Sequence, residues 1–106
     1  MSNKDLADIL IRNFNLVGFD GQVDTESEYL KRLQLALSER IIHLIKTDLD
    51  KLLQILYRID VPQKYSDEAF ALGEINQISM ELAKQIINRQ LQKIDYARSF
   101  NKENKK

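Results

Sequence analysis

The sequence predicts an all-α fold, a small helical bundle of three main helices with a peripheral N-terminal helix. Three observations carry this. Apolar residues recur at three- and four-residue spacing along most of the chain. No segment alternates apolar and polar residues long enough to require a strand. Helix breakers are scarce, with three glycines and one proline in 106 residues. At this length a single domain is expected, covering residues 1–100, with a disordered polar tail at 101–106.

The first helix is expected over residues 4–14, where Leu6, Ile9, Leu10 and Phe14 share one face. Ser2 or Asn3 offers a cap, and Asp5 suits the positive end of the helix dipole. Asn15–Thr25 is dense in turn formers and holds Gly18 and Gly21. Leu16, Val17 and Phe19 within it imply a loop that packs down on the core. Thr25-Glu26-Ser27-Glu28 reads as a capping box, in which each end residue satisfies an amide of the other. A stripe then follows through Leu30, Leu33, Leu37, Ile41 and Leu44, and continues through Leu52, Ile55 and Ile59.

A break near Thr47 is expected to divide this stripe into helices at about 26–45 and 48–60, with one continuous helix kinked there as the alternative. Thr47-Asp48-Leu49-Asp50 supplies a threonine cap and two carboxylates for a new first turn. Leu35, Ile42, Leu49, Leu53 and Leu56 lie beside the main stripe, so region 30–59 is apolar on more than one face. Such a segment is either the centre of a bundle or part of an oligomer interface. Val61-Pro62 ends it, since proline disfavours helical geometry in the residue before it. Ser66-Asp67-Glu68 predicts a short capped turn through Ala69, Phe70 and Leu72, stopped by Gly73. The last helix runs from about Glu74 to Ser99, with Ile75, Ile78, Leu82, Ile86 and Leu91 on its buried side and Ile87 and Ile94 beside them.

Composition removes much chemistry. Apolar residues at 43% and charged residues at 30% suit a folded chain, not a disordered one. The chain has no cysteine, which excludes disulfides, thiolate metal sites and thiol nucleophiles. Sixteen basic and sixteen acidic residues cancel, so no global field recruits nucleic acid or an anionic membrane. No signal peptide is evident, and apolar runs such as Ile9-Leu10-Ile11 are too short to span a bilayer. A cytoplasmic protein is expected, with no cofactor.

Candidate sites are few. Glu39 and His43 share a helix face, but a bundle metal site needs further convergent ligands and this chain has a single histidine. Ser38 and Thr47 near His43 are explained by helix surface and capping, and no nucleophile–base–orienter set is formed. Gly18-Phe19-Asp20-Gly21 lacks the lysine and hydroxyl of a phosphate loop. No enzymatic role is expected. Acidic residues gather early, with Asp5, Asp8, Asp20, Asp24, Glu26 and Glu28 against Lys4 and Arg12. Basic ones gather late, with Lys84, Arg89, Lys93, Arg98, Lys102, Lys105 and Lys106 against Asp95 and Glu103. The basic last helix offers an alternative as a nucleic-acid-binding or regulatory accessory protein. Only Tyr96 and Phe100 interleave with the cations, which is sparse for base recognition.

Asp60 stands at a helix C-terminus, where a carboxylate opposes the dipole. A structural polar cluster of Arg58, Asp60 and Arg89 is therefore expected, with an arginine offsetting the carboxylate at a partly buried clamp. Leu56–Val61, Leu44–Leu49 and Ile86–Ile94 together resemble a set of small bacterial helical proteins to which no activity is assigned. The resemblance spans roughly residues 26–100 and carries no site residue or substrate. The function expected is that of a small interaction or structural protein, forming a homodimer.

Overall fold

A computed structural model describes the backbone of residues 2–16 and 26–104, and the side chains of residues 6–16 and 28–95. Its order is α1 (Ser2–Phe14), α2 (Glu26–Thr47), α3 (Leu49–Arg58), α4 (Gln63–Phe70) and α5 (Ile75–Asn104), with no strand among the described residues. The all-α class predicted by periodicity is therefore the class observed.

The long α5 organises the rest, packing against α1, α2 and α4, while α2 also meets α1 and α3. Thirty residues at 1.5 Å each give a rod of about 45 Å, which accounts for a longest dimension of 48 Å. The radius of gyration is 14.4 Å, against about 13 Å for an evenly packed chain of this length. The core joins Leu33, Leu37 and Ile41 of α2, Leu52 and Ile55 of α3, and Leu82 and Ile86 of α5. Among the described residues no helix is long and apolar enough to cross a membrane.

The N-terminal helix, expected at the periphery, is driven into this core. Leu6 and Leu10 are fully enclosed and Phe14 is 1% exposed. Its last turn is held from both sides. Arg40 donates from Nε to the Phe14 carbonyl at 2.9 Å, and Arg58 donates to the Asn13 Oδ1 at 3.2 Å. A helix of this length is marginal alone, and these contacts are what order it. Leu16 is buried, as a packed-down loop requires. Val17, Phe19 and the Thr25 capping box lie outside the described residues, as do the side chains of Ser2 and Asn3.

The break near Thr47 is present, but Asp48 caps α3 in place of Thr47. The Asp48 carboxylate accepts from the Lys51 amide at 3.1 Å. Thr47 is the last residue of α2, and its hydroxyl donates back to the His43 carbonyl at 2.7 Å. Bonds of this kind compete with the helical ladder and bend it. The Asp48 amide still donates to Leu44 at 2.7 Å, so the two helices meet without an intervening loop.

Two more boundaries differ from expectation. α4 begins at Gln63, directly after Pro62, and not at a Ser66 cap. Proline's fixed φ and missing N–H suit the start of a helix, where amides have no intrahelical partner. Ser66 lies inside α4, buried, its hydroxyl donating to the Gln63 carbonyl at 2.9 Å. Leu72 falls beyond the helix and is exposed, and Gly73 turns the chain at φ +82°. Backbone helix in α5 continues to Asn104, past the end expected at Ser99.

Candidate functional site

The polar residues around Asp60 form a helix-end lock. Asp60 has a φ of 65°, the left-handed geometry that commonly ends helices. Its amide donates to the Tyr57 carbonyl at 3.2 Å, and the Val61 amide donates to the Leu56 carbonyl at 3.0 Å. These two bonds define a Schellman turn, and the accompanying apolar contact is supplied by the buried pair Leu56 and Val61.

α5 grips this turn from the side. Arg89 donates from Nε to the Asp60 carbonyl at 3.0 Å. Gln90, 2% exposed, donates to the Ile59 carbonyl at 2.8 Å. Lys93 places its ammonium 3.5 Å from the Asp60 carboxylate. The three residues named from sequence are thus differently employed. Arg89 reaches Asp60 through backbone, Arg58 bonds to Asn13 of α1, and the partner of the carboxylate is Lys93. The site is also open, with the Asp60 side chain 67% exposed, so the expected burial is corrected. Gln90 was missed. Its signal was a polar residue in the apolar row Ala83, Ile87 and Ile94.

The other sequence candidates stay apart. Glu39 and His43 are both exposed on α2. No group of three or more His, Cys, Asp or Glu residues is placed to hold a metal ion among the described residues. Of the late cations, Lys84 is exposed, while Arg89 and Lys93 are engaged by Asp60. The side chain of Arg98 lies outside the described residues.

An apolar groove of about 470 Å³ lies between α3 and α4. Leu49, Leu53 and Tyr57 form one wall, Leu56 and Val61 lie at its base, and Gln63, Ser66, Asp67 and Phe70 line the side towards α4. The α3 wall faces solvent: Leu49 is 41%, Leu53 43% and Tyr57 86% exposed. These three stand four residues apart, a continuous row on the helix surface. They are displaced round the helix from Leu52, Ile55 and Leu56, which are buried. The second apolar face seen in the sequence is therefore real on α3, with Leu56 turned inwards and Leu49 and Leu53 turned outwards.

This arrangement is suited to recognition. Apolar area attracts another apolar surface without directional chemistry. The Ser66 hydroxyl is already committed to a carbonyl, and Asp67 is the charged residue on the lining. A shallow trough walled by leucines and an aromatic ring matches the way grooves receive amphipathic helices. Comparison with protein-family models, with curated proteins and with solved structures finds no match to this chain.

Proposed function

We propose that this chain is a small interaction protein that self-associates through the α3–α4 groove. The observation that carries this is the exposed row Leu49, Leu53 and Tyr57 beside an apolar trough. Contiguous exposed apolar surface of this kind marks interaction sites on folded chains. Tyrosine at the rim suits it further, being over-represented among residues that dominate binding energy. In this reading α2, α3 and α5 form the frame and α1 closes its side, leaving the outer face of α3 for a partner. The protein acts by assembly and carries out no reaction of its own. The alternative of a nucleic-acid surface on α5 has weaker support, because Arg89 and Lys93 are turned to Asp60.

Sedimentation velocity tests the reading. The chain is expected to be dimeric at about 100 µM, an ordinary range for a modest interface. Leu53→Glu should give a monomer with unchanged helical content, because Leu53 is half in solvent. A wild-type chain that remains monomeric at that concentration defeats the proposal.

A further inference from the structure

The joint between α2 and α3 divides the chain in two. Before it stand α1 and α2, and after it α3, α4 and α5. The core is built across this division. Leu33 and Leu37 from the first half share one cluster with Leu52, Ile55, Leu82 and Ile86 from the second. α5 packs on both α1 and α2. Polar contacts cross the division too, from Gln34 to the Met80 carbonyl at 3.3 Å and from Arg58 to Asn13. Neither half closes its own apolar surface.

The joint itself holds no loop. Helical bonds stand on either side of it, from the Asp48 amide to the Leu44 carbonyl and from the Leu52 amide to the Asp48 carbonyl. Asp48 departs from helical geometry, at φ −160° and ψ 73°. A straight helix would give the Leu49 and Asp50 amides the partners that a helix start leaves open. It would also keep the apolar faces in phase. At about 100° per residue, Leu33, Leu37, Leu44, Leu52, Ile55 and Ile59 fall within about 100° of one another. Leu35, Ile42, Leu49 and Leu53, which the bend divides between two helices, fall within about 40°.

We infer that Asp48 is a hinge through which two copies of this chain exchange halves. In the exchanged dimer residues 26–58 form one continuous helix, and α3, α4 and α5 of each copy pack on α1 and α2 of the other. The partner follows from the surface to be restored, since another copy carries the faces that fit α5 to α1 and α2. Exchange re-forms the core between copies, so the two states differ chiefly at the joint and in concentration. This is why exchange of an identical element is a low-cost route to dimers, and why short joints invite it. The bend is kept by the capping carboxylate of Asp48 and by the weak helix preference of Thr47 and Asp48. The inference goes beyond the α3–α4 groove and stands whether or not that groove is filled.

Two hinge variants and a cross-link test it. Asp48→Ala and Asp48→Gly both remove the capping carboxylate and differ in helix preference. Alanine favours the continuous helix about fivefold over glycine at each of two joints. The dissociation constant of the exchanged dimer should therefore be about thirtyfold lower with alanine. Both variants carry Leu53→Glu, which removes association through the groove, and both are refolded from denaturant at millimolar concentration. Gln34→Cys with Met80→Cys marks the topology, since the chain has no other thiol. A short bifunctional thiol reagent joins these positions within one chain in the monomer, and between chains in the exchanged dimer. A denaturing gel should show chains linked in pairs for Asp48→Ala, in larger share than for Asp48→Gly. Links confined to single chains, equal exchange by the two variants, or no dimer after refolding overturns the inference. The groove is read separately, from the mass of the native wild-type chain.

Discussion

Asp60 shows how a residue's surroundings decide its energetic weight. Its backbone sits in left-handed geometry, which disfavours a side chain by about 1–2 kcal/mol, less for aspartate than for most residues. Its carboxylate pairs with Lys93 in the open, where such pairs contribute below about 1 kcal/mol. Asp60→Asn should therefore shift the denaturant midpoint little, since asparagine also tolerates this geometry. Asp60→Ala should cost about 1 kcal/mol more than Asp60→Asn, because alanine keeps the backbone penalty without a polar side chain to offset it. A loss of several kcal/mol in the asparagine variant would contradict the open geometry. Tyr29 provides the pH-sensitive position. Burial, with the nearby Asp8 carboxylate adding to it, raises its pKa above the ordinary 10.0. The folded chain thus holds this proton to higher pH than the unfolded chain does. Its contribution to stability is intact below about pH 10 and falls as pH rises through the folded value. Unfolding measured from pH 8 to 11 should show a shallower alkaline decline in Tyr29→Phe, and an unchanged slope would argue against the shift.

At the scale of the element, helix ends are held by residues from both near and far. Glu74 precedes α5, and its carboxylate accepts from the Asn76 amide at 3.1 Å and the Gln77 amide at 2.9 Å. One side chain thereby satisfies two of the amides that a helix start leaves open. Glu74→Ala should cost about 1 kcal/mol, while Glu74→Asp should recover part of it; thermal unfolding of the pair checks this. The ends of α1 and α3 depend instead on distant partners. Arg40 and Arg58 secure the first, and Arg89 and Gln90 secure the second. The sequence marked the start of α3 within a residue, yet it placed the caps on Thr47 and Ser66 where Asp48 and Pro62 stand, because neighbouring residues can each end a helix and only the packed backbone selects one. The distant partners left no signal at all, since no spacing rule links Gln90 to Ile59.

Across the whole molecule, α5 couples the other elements. It packs on α1, α2 and α4, and Leu82 is fully enclosed within it. Leu82→Ala should cost about 2–5 kcal/mol, from lost burial and the cavity left behind. The loss should appear in one cooperative transition, with far-ultraviolet dichroism and amide exchange in α1, α2 and α4 moving together. Separate transitions for α1 and the remainder would show that α5 does not bind them into one unit.

The sequence determined the helical class, the stop at Val61-Pro62 and the excess of apolar surface on region 30–59, and it favoured a break near Thr47 over one kinked helix. Each of these rests on periodicity or on the backbone preference of a residue, both local properties. Tertiary structure decided which apolar face stays outside. Leu52 and Leu53 are neighbours of one type, yet the first is enclosed and the second is 43% exposed. Their difference follows from where α2 and α4 sit round α3. It likewise sent Arg58 to Asn13 and Lys93 to Asp60. Pairing of side chains is set by distance in space, and the order of residues along the chain leaves that distance open until the helices have packed.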